Sequence, residues 1–220
     1  MPTLLHLTVS PRGNQSISRR LGDAAVEAWK ESHPEGRVLG RDLAKTPLTF
    51  VDVDWIAGAF SSPEYHTEAH KKALALSNEL VSELLESDEI ILATPMYNFA
   101  VPAALKAWID HVVRAGKTFH YTASGKPEGL LAEQNKKVLV IIASGGSYPE
   151  DSRMAALNYE IPYLRFIFAY MGVTDVRFIH AGGTASVMQG RMSAEEFLAP
   201  YLSEIAAMAG NTANQLAVKV

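Results

Sequence analysis

The chain has 220 residues, 48% of them apolar and 20% charged, with 20 basic against 24 acidic side chains and a formal net charge of −4. That length suits one domain with one core, the apolar share excludes disorder as the dominant state, and the acidic balance weighs against a nucleic-acid binder, which carries a basic face. Cysteine is absent, which removes disulfides, thiolate metal sites and a cysteine nucleophile.

The start, Met1 to Ser10, has neither a basic lead nor a long apolar run and does not read as a signal peptide. Leu4 to Val9 is a short apolar run of the kind that forms a strand buried on both faces. Ser18 to Ser32 then has helical spacing, with Leu21, Ala24, Ala25, Ala28 and Trp29 on one stripe. Val38 to Leu43 is a weaker strand. Lys45 to Pro63 is long and mixed, carrying Phe50, Trp55, Ile56 and Phe60. It reads equally as a loop packed on its own domain or as a dimer surface. Ala69 to Leu85 is helical, with Ala73, Leu76, Leu80 and Leu84 aligned. Strands follow at Ile90 to Ala93, Val138 to Ala143 and Val176 to Ile179. Helices are expected over Ala103 to Val113, Ser152 to Met171 and Ala194 to Leu216. The longest apolar stretch, Ile161 to Val173, is interrupted by Arg165 and falls short of the roughly 18 residues that a membrane helix needs. The expectation is a soluble cytoplasmic protein with no membrane partner.

Strands that alternate with helices specify an α/β domain, here a single one over residues 1–220. Five strands suit the parallel order 2-1-3-4-5 with helices on both faces, or a truncated nucleotide-binding fold. In such sheets the ligand sits beyond the carboxyl ends of the strands, where strand order reverses. The loops after the first, third and fourth strands are therefore the candidates.

The first loop reads Ser10-Pro11-Arg12-Gly13-Asn14-Gln15-Ser16-Ile17-Ser18 and leads into a helix. Hydroxyls and free N–H groups at a helix start make an anion site. Simple capping by Ser16 or Ser18 is the plainer reading. Neither a G-x-x-x-x-G-K-[ST] nor a G-x-G-x-x-G pattern occurs, so a triphosphatase or dinucleotide fingerprint is not expected. The third-strand loop, Thr94 to Pro102, gathers Pro95, Met96, Tyr97, Asn98 and Phe99. It offers flat apolar surface with a placed amide, as a planar ring requires; core packing is the alternative. The fourth, Ala143-Ser144-Gly145-Gly146, lets backbone N–H groups approach a ligand closely, or merely ends the strand.

Pro95 to Asp110, Arg114 to Thr122 and Gly129-Leu130-Leu131, with the Ser10-Pro11 loop and Gly145-Gly146, resemble the FMN-dependent NADH:quinone oxidoreductases, also called azoreductases. The resemblance runs over nearly the whole chain. It implies a flavodoxin-like fold, a homodimer and one tightly bound FMN per subunit. It also implies a ping-pong reaction in which NADH or NADPH reduces the flavin and a quinone, azo compound or nitroaromatic takes two electrons. By the same resemblance, Ser10, Ser16, Ile17 and Ser18 hold the phosphate. Pro95, Met96, Tyr97, Asn98 and Phe99, with Ala143, Ser144, Gly145 and Gly146, meet the ring and its ribityl chain. Phe99, Phe119 and Tyr121 line the acceptor pocket, Tyr121 from the excursion Thr118 to Leu131 and across the dimer. This chain has Ser144 where the family often has arginine, and Ser124 to Gly129 differs from the common tip of the excursion. The flavin carries the chemistry, so no side chain is assigned as catalytic. His120 is weighed as a proton donor but reads better as a surface residue, His111 as structural, and His66 with His70 as solvated and not metal-binding. His180, after the fifth strand, is a weaker candidate. A flavodoxin-type electron carrier is the alternative.

Overall fold

The computed structural model describes residues 1–149 and 151–217, with side chains followed as far as Met208. In chain order the elements are β1 (Thr3–Thr8), α1 (Ile17–Ser32), β2 (Arg37–Asp42), α2 (Val53–Ala59), α3 (Glu68–Glu86), β3 (Glu89–Pro95) and α4 (Ala103–Val112). There follow β4 (Phe119–Tyr121), β5 (Pro127–Gly129), β6 (Lys137–Ser144), α5 (Glu160–Tyr170), β7 (Asp175–Gly182), α6 (Ala185–Met188) and α7 (Ala194–Ala217).

Five strands form one sheet in the order β2-β1-β3-β6-β7, every pair parallel. Counted without the hairpin, this is the order 2-1-3-4-5. The apolar runs are explained by burial on both faces. Leu5 and Leu7 pack with Leu80, Trp108 and Phe168 on the side of α3, α4 and α5. Leu4 packs with Leu21, Trp29 and Ile205 on the side of α1 and α7. No helix among the described residues is long and apolar enough to cross a membrane.

Two expectations need correction. The helix expected over Ser152 to Met171 begins only at Glu160. Pro162 lacks an N–H, and its ring would clash with the carbonyl four residues earlier, so a helix cannot run through it from Ser152. The helix starts two residues before the proline instead, which leaves Pro162 in the first turn, and Asn158 Oδ1 accepts the N–H groups of Glu160 and Ile161, both at 3.1 Å. The mixed segment 45–63, read as loop or surface, contains the helix α2, capped by Asp52 Oδ1 on the Trp55 N–H at 2.8 Å.

The segment packs on its own domain along one side. Trp55 is buried and its Nε1–H donates to His111 Nδ1 at 3.2 Å, while His111 Nε2 lies 2.9 Å from the Thr49 carbonyl. A carbonyl only accepts, so His111 is the neutral Nε2–H tautomer and ties two segments together. Ser77 Oγ donates to the His111 carbonyl at 2.6 Å, and Arg114 Nη1 donates to Ser77 Oγ at 3.1 Å. Gly58 allows the close crossing of α2 over α3, since a Cβ there would stand 2.8 Å from Leu74 Cδ1. On the outer side Phe50, Val53 and Phe60 remain exposed, Phe50 at 81% and Phe60 at 71%.

Candidate functional site

The carboxyl ends of β1, β3 and β6 open into a cleft of about 740 Å³, inside the range of small-molecule sites. It lies where the connections from the neighbouring strands β1 and β3 diverge to opposite sides of the sheet, to α1 and α4, the place the topology favours for a ligand. Of the residues singled out from sequence, Ser10, Ser16, Ile17, Ser18, Pro95, Met96, Tyr97, Ala143 and Gly145 line it.

The wall supplied by the β1 loop is rich in donors. Ser16 caps α1, its Oγ accepting the Arg19 N–H at 3.3 Å and lying 3.2 Å from Ser18 Oγ. Capping and anion binding are therefore compatible uses of the same loop. Arg19 reaches under it to the Ser10 carbonyl at 3.2 Å and to Asp42 Oδ2 at 2.9 Å, which neutralises that guanidinium. Arg12 makes no ion pair among the described residues, and its charge is available at the cleft. The first N–H groups of α1 and the helix dipole point the same way.

The wall supplied by the β3 loop and α6 is apolar, with Pro95, Met96, Val187 and Met188. Here the chain makes a two-residue turn. Tyr97 and Ala100 exchange both backbone hydrogen bonds at 3.1 Å, with Asn98 at φ 49° and Phe99 at φ 69° between them. Positive φ at both central positions is the type I′ signature. Asn tolerates it; Phe does not, at about 1–2 kcal/mol. Strain of this kind gathers at functional loops. The turn is held from both sides: the Met96 N–H donates to the Ala143 carbonyl at 2.8 Å, and the Tyr159 N–H to the Phe99 carbonyl at 3.0 Å.

The end of β6 supplies the third wall. A Cβ built on Gly145 would meet nothing within 4 Å, so a side chain there would project into the cleft. The fit to FMN follows from this layout. Hydroxyls, N–H groups and a free arginine suit a phosphate monoester, a Cβ-free backbone suits close approach, and apolar walls suit a flat ring. Ser144 is buried, and its hydroxyl faces protein groups, donating to the Gly146 carbonyl at 2.8 Å.

Asn98, Phe99, Ser144 and Gly146 stand on the same two loops but outside the cleft wall. Phe119 and Tyr121 lie on the β4–β5 hairpin, away from the cleft. Phe119 is buried against Tyr170, with ring centroids 4.9 Å apart, and lines a separate apolar groove; Tyr121 is exposed. His120 is exposed on the hairpin, paired with Glu128 Oε2 at 3.0 Å directly across the strands. His70 belongs to the cap of α3, and His66 Nε2 meets the Ser61 carbonyl at 3.2 Å. Arg20, Thr184, Val187, Met188 and Ala194 also line the cleft and escaped the sequence reading. The signal was present in part, since Gly183-Thr184 follows the last sheet strand, and its loop falls under the same carboxyl-end rule.

The sequence matches the family described as the flavodoxin-like fold over residues 2–205. Its relatives include the FMN-dependent NADH:quinone oxidoreductase of Nostoc sp., 46% identical over 211 residues that span 96% of this chain and 100% of that protein. Another is FMN-dependent NADH:quinone oxidoreductase 8 of Burkholderia lata, 43% identical with coverage of 94% and 95%. Among solved structures, azoreductase from Bacillus anthracis str. Sterne superposes with a TM-score of 0.84 at 31% identity, over 96% of this chain and 100% of that one. The chain belongs to the flavodoxin-like family and, within it, to the FMN-dependent NADH:quinone oxidoreductases.

Proposed function

We propose that this protein is an FMN-dependent oxidoreductase that takes electrons from NADH and delivers them in pairs to a quinone or an azo compound. The observation that carries the reading is the make-up of the cleft wall, with hydroxyls, a helix start and Arg12 from the β1 loop, apolar side chains from the β3 loop and α6, and an open glycine backbone from the β6 loop. Bound FMN supplies hydride acceptance and two-electron release. The chain's own residues bind, orient and exclude water. Ser10, Ser16, Ser18, Arg12 and the start of α1 hold the phosphate. Met96 and Tyr97 present the ring with a firm apolar face, and Asn98 adds an amide at its edge. N–H groups of Gly145 and Gly146 act as fixed dipoles where charge develops. Stacking of nicotinamide or quinone on the open face supplies near-attack geometry. The protein works in the cytoplasm, where NADH is supplied, and nitroaromatics belong to the acceptors a flat pocket admits.

The test is an anaerobic absorbance trace of the FMN-loaded protein mixed with NADH, then with benzoquinone. Bleaching of the flavin band followed by its return is expected. A band that NADH leaves unbleached points to an electron carrier instead. NADPH in a parallel trace ranks the two donors.

Gly145→Leu isolates the cofactor assignment. A Cβ there meets nothing within 4 Å, so the apoprotein should melt within about 2 °C of wild type. FMN affinity should fall by about two orders of magnitude, or about 3 kcal/mol, measured by fluorescence titration. Unchanged affinity would remove Gly145 from the site.

The active form in this reading is a homodimer. Phe50, Val53, Ile56 and Phe60 leave a large apolar surface on α2, beside a groove of about 430 Å³ lined by Ile109, Val113, Phe119, Tyr163 and Ile167. Contiguous apolar patches of this kind mark interfaces. A second copy of the chain would bring its own Tyr121 toward a neighbouring cleft, which gives that exposed ring its acceptor-pocket role. Phe60→Glu places a charge in the patch. Light scattering should show a monomer that retains FMN and loses at least tenfold in quinone turnover. A variant that stays dimeric would move the interface elsewhere.

A further inference from the structure

One side-chain chain links the two loops that flank the cleft, and the function above makes no use of it. Ser144 Oγ lies 2.8 Å from the Gly146 carbonyl and 2.7 Å from His180 Nε2. The hydroxyl has one proton, and a carbonyl can only accept. Ser144 therefore donates to Gly146, and His180 must donate to Ser144 from Nε2. This fixes the Nε2–H tautomer of His180. Burial lowers the His180 pKa, which keeps the ring neutral at physiological pH.

The chain continues past the histidine. Tyr148 stacks on the His180 ring, with centroids 5.8 Å apart and planes at 21°. Tyr148 in turn meets Phe99 edge-on at 6.5 Å and 86°. It also lies against the glycine turn, since a Cβ on Gly146 would stand 3.2 Å from its hydroxyl oxygen. Phe99 is the strained residue of the type I′ turn. The β6 side of the turn is also held by Gly183 N–H to the Gly146 carbonyl at 3.0 Å, by Thr184 N–H to the Ser144 carbonyl at 3.0 Å and by Thr184 Oγ1 to the same carbonyl at 3.1 Å. His180 is the point where the glycine turn and the aromatic loop meet one ring.

We propose that His180 is a positioning residue of the flavin site: through Ser144 it sets the Gly145–Gly146 turn, and through Tyr148 it sets the Phe99 ring on the acceptor side. It touches neither cofactor nor acceptor. The proposal rests on the FMN reading, and it goes beyond that reading by predicting that two separate properties, cofactor affinity and acceptor affinity, share one residue. Removing the donor leaves a buried hydroxyl with an unmet acceptor role, an effect of the size that changes an equilibrium about tenfold.

The test uses full-length protein and three variants. His180→Phe keeps the stack on Tyr148 and removes the donor. His180→Gln keeps a donor of similar reach. Ser144→Ala removes the relay. Apoprotein melting first establishes folding for each. His180→Phe should weaken FMN binding about tenfold, while KM for benzoquinone stays near wild type because the ring stack survives. His180→Gln should restore FMN affinity and raise that KM, because the stack is lost. In a double-mutant cycle, His180→Phe should add nothing to FMN affinity in the Ser144→Ala background. Histidine ¹⁵N spectra of the apoprotein should show, besides that of His111, an Nε2–H ring that vanishes in His180→Phe. Additive effects on FMN affinity, or a His180 ring with its proton on Nδ1, overturn the proposal. A wild type that binds no FMN overturns the functional reading itself, whereas normal FMN binding with an additive cycle overturns only the role of His180. If His180→Phe does not fold, the spectrum of wild type with the His180→Gln and Ser144→Ala affinities decides between the same outcomes.

Discussion

Glu160 should take several kcal/mol from the unfolding free energy as pH rises from about 4.5 to about 8, opposed by the smaller gain from the buried His6 and His180, and Glu160→Gln should remove that loss. Glu160 begins α5 with its side chain fully buried behind the carboxyl end of β3. Thr94 Oγ1 donates to Oε1 at 3.1 Å, and Oε2 has no partner among the described residues. Burial pushes the carboxyl from its ordinary value near 4.5 up to about 8, against the opposing pull of the Thr94 hydrogen bond. The sign follows from linkage. Between those pH values the folded protein keeps a proton that the unfolded chain has released, so the folded state binds more protons. The stabilisation is complete below about pH 4.5 and is lost as pH climbs to about 8. Its size is on the order of 3–5 kcal/mol, or about 10 °C in melting temperature for a chain of this length. Glutamine keeps the shape and has no proton to lose. Urea unfolding of the two proteins should give similar stabilities near pH 4.5 and a variant more stable by several kcal/mol at pH 8. A difference that does not change with pH would mean that Glu160 is hydrated or held ionised.

The same glutamate shows where sequence ceases to inform. The strands were legible because burial on both faces demands unbroken apolar runs, and Leu4, Leu5, Leu7, Ile90 and Leu92 meet that demand. The three loops were legible because their place follows from strand order, and nine of the residues named there line one cleft. Glu160 gave no such signal. Its burial depends on Thr94, 66 positions earlier in the chain. Helix α2 escaped for another reason. At seven residues it has under two full turns, and it directs Trp55 inward while Val53 and Ile56 face out. No single apolar stripe results, and the contact that fixes it, Trp55 to His111, also spans distant segments. Phe119 and Tyr121 sit two apart on one strand, where side chains share a face, and both meet Tyr170, yet Phe119 is buried under its ring while Tyr121 reaches it by a side-chain hydrogen bond and stays exposed. Local pattern sets element type and facing, whereas the partners that meet across the fold decide depth and charge.

Gly129→Ala should be among the most damaging single-methyl additions in this protein. Gly129 ends β5, paired with Phe119 across the hairpin. A Cβ there would overlap Gly172 N and Met171 C and stand 2.5 Å from the Met171 carbonyl oxygen. All three are backbone atoms of the turn that follows α5, so no rotamer change relieves the overlap. The opposing residue offers no relief either. Gly172 has φ 95°, and a Cβ on it would lie 2.7 Å from Ala132 N and 2.9 Å from the Gly129 carbonyl oxygen. The two glycines let hairpin and helix end interlock backbone to backbone, sealed by the Leu131 N–H on the Met171 carbonyl at 3.0 Å. A methyl group forces them apart and uncovers Leu131 and Phe119, both buried. The cost should reach about 3 kcal/mol or more, the upper range for overpacking. Gly125→Ala is the control. It sits at the hairpin tip at φ 77° with nothing within 4 Å of its Cβ, so only backbone strain of about 1 kcal/mol applies. Thermal melts should separate the two by several degrees. FMN affinity of Gly129→Ala should stay near wild type at temperatures where it is folded, because the cleft is built from other loops. Quinone turnover should fall, because Tyr121 moves with the hairpin. A Gly129→Ala protein that melts within about 2 °C of wild type would mean that hairpin and α5 do not approach this closely, and the placement of Tyr121 would have to be revised with them.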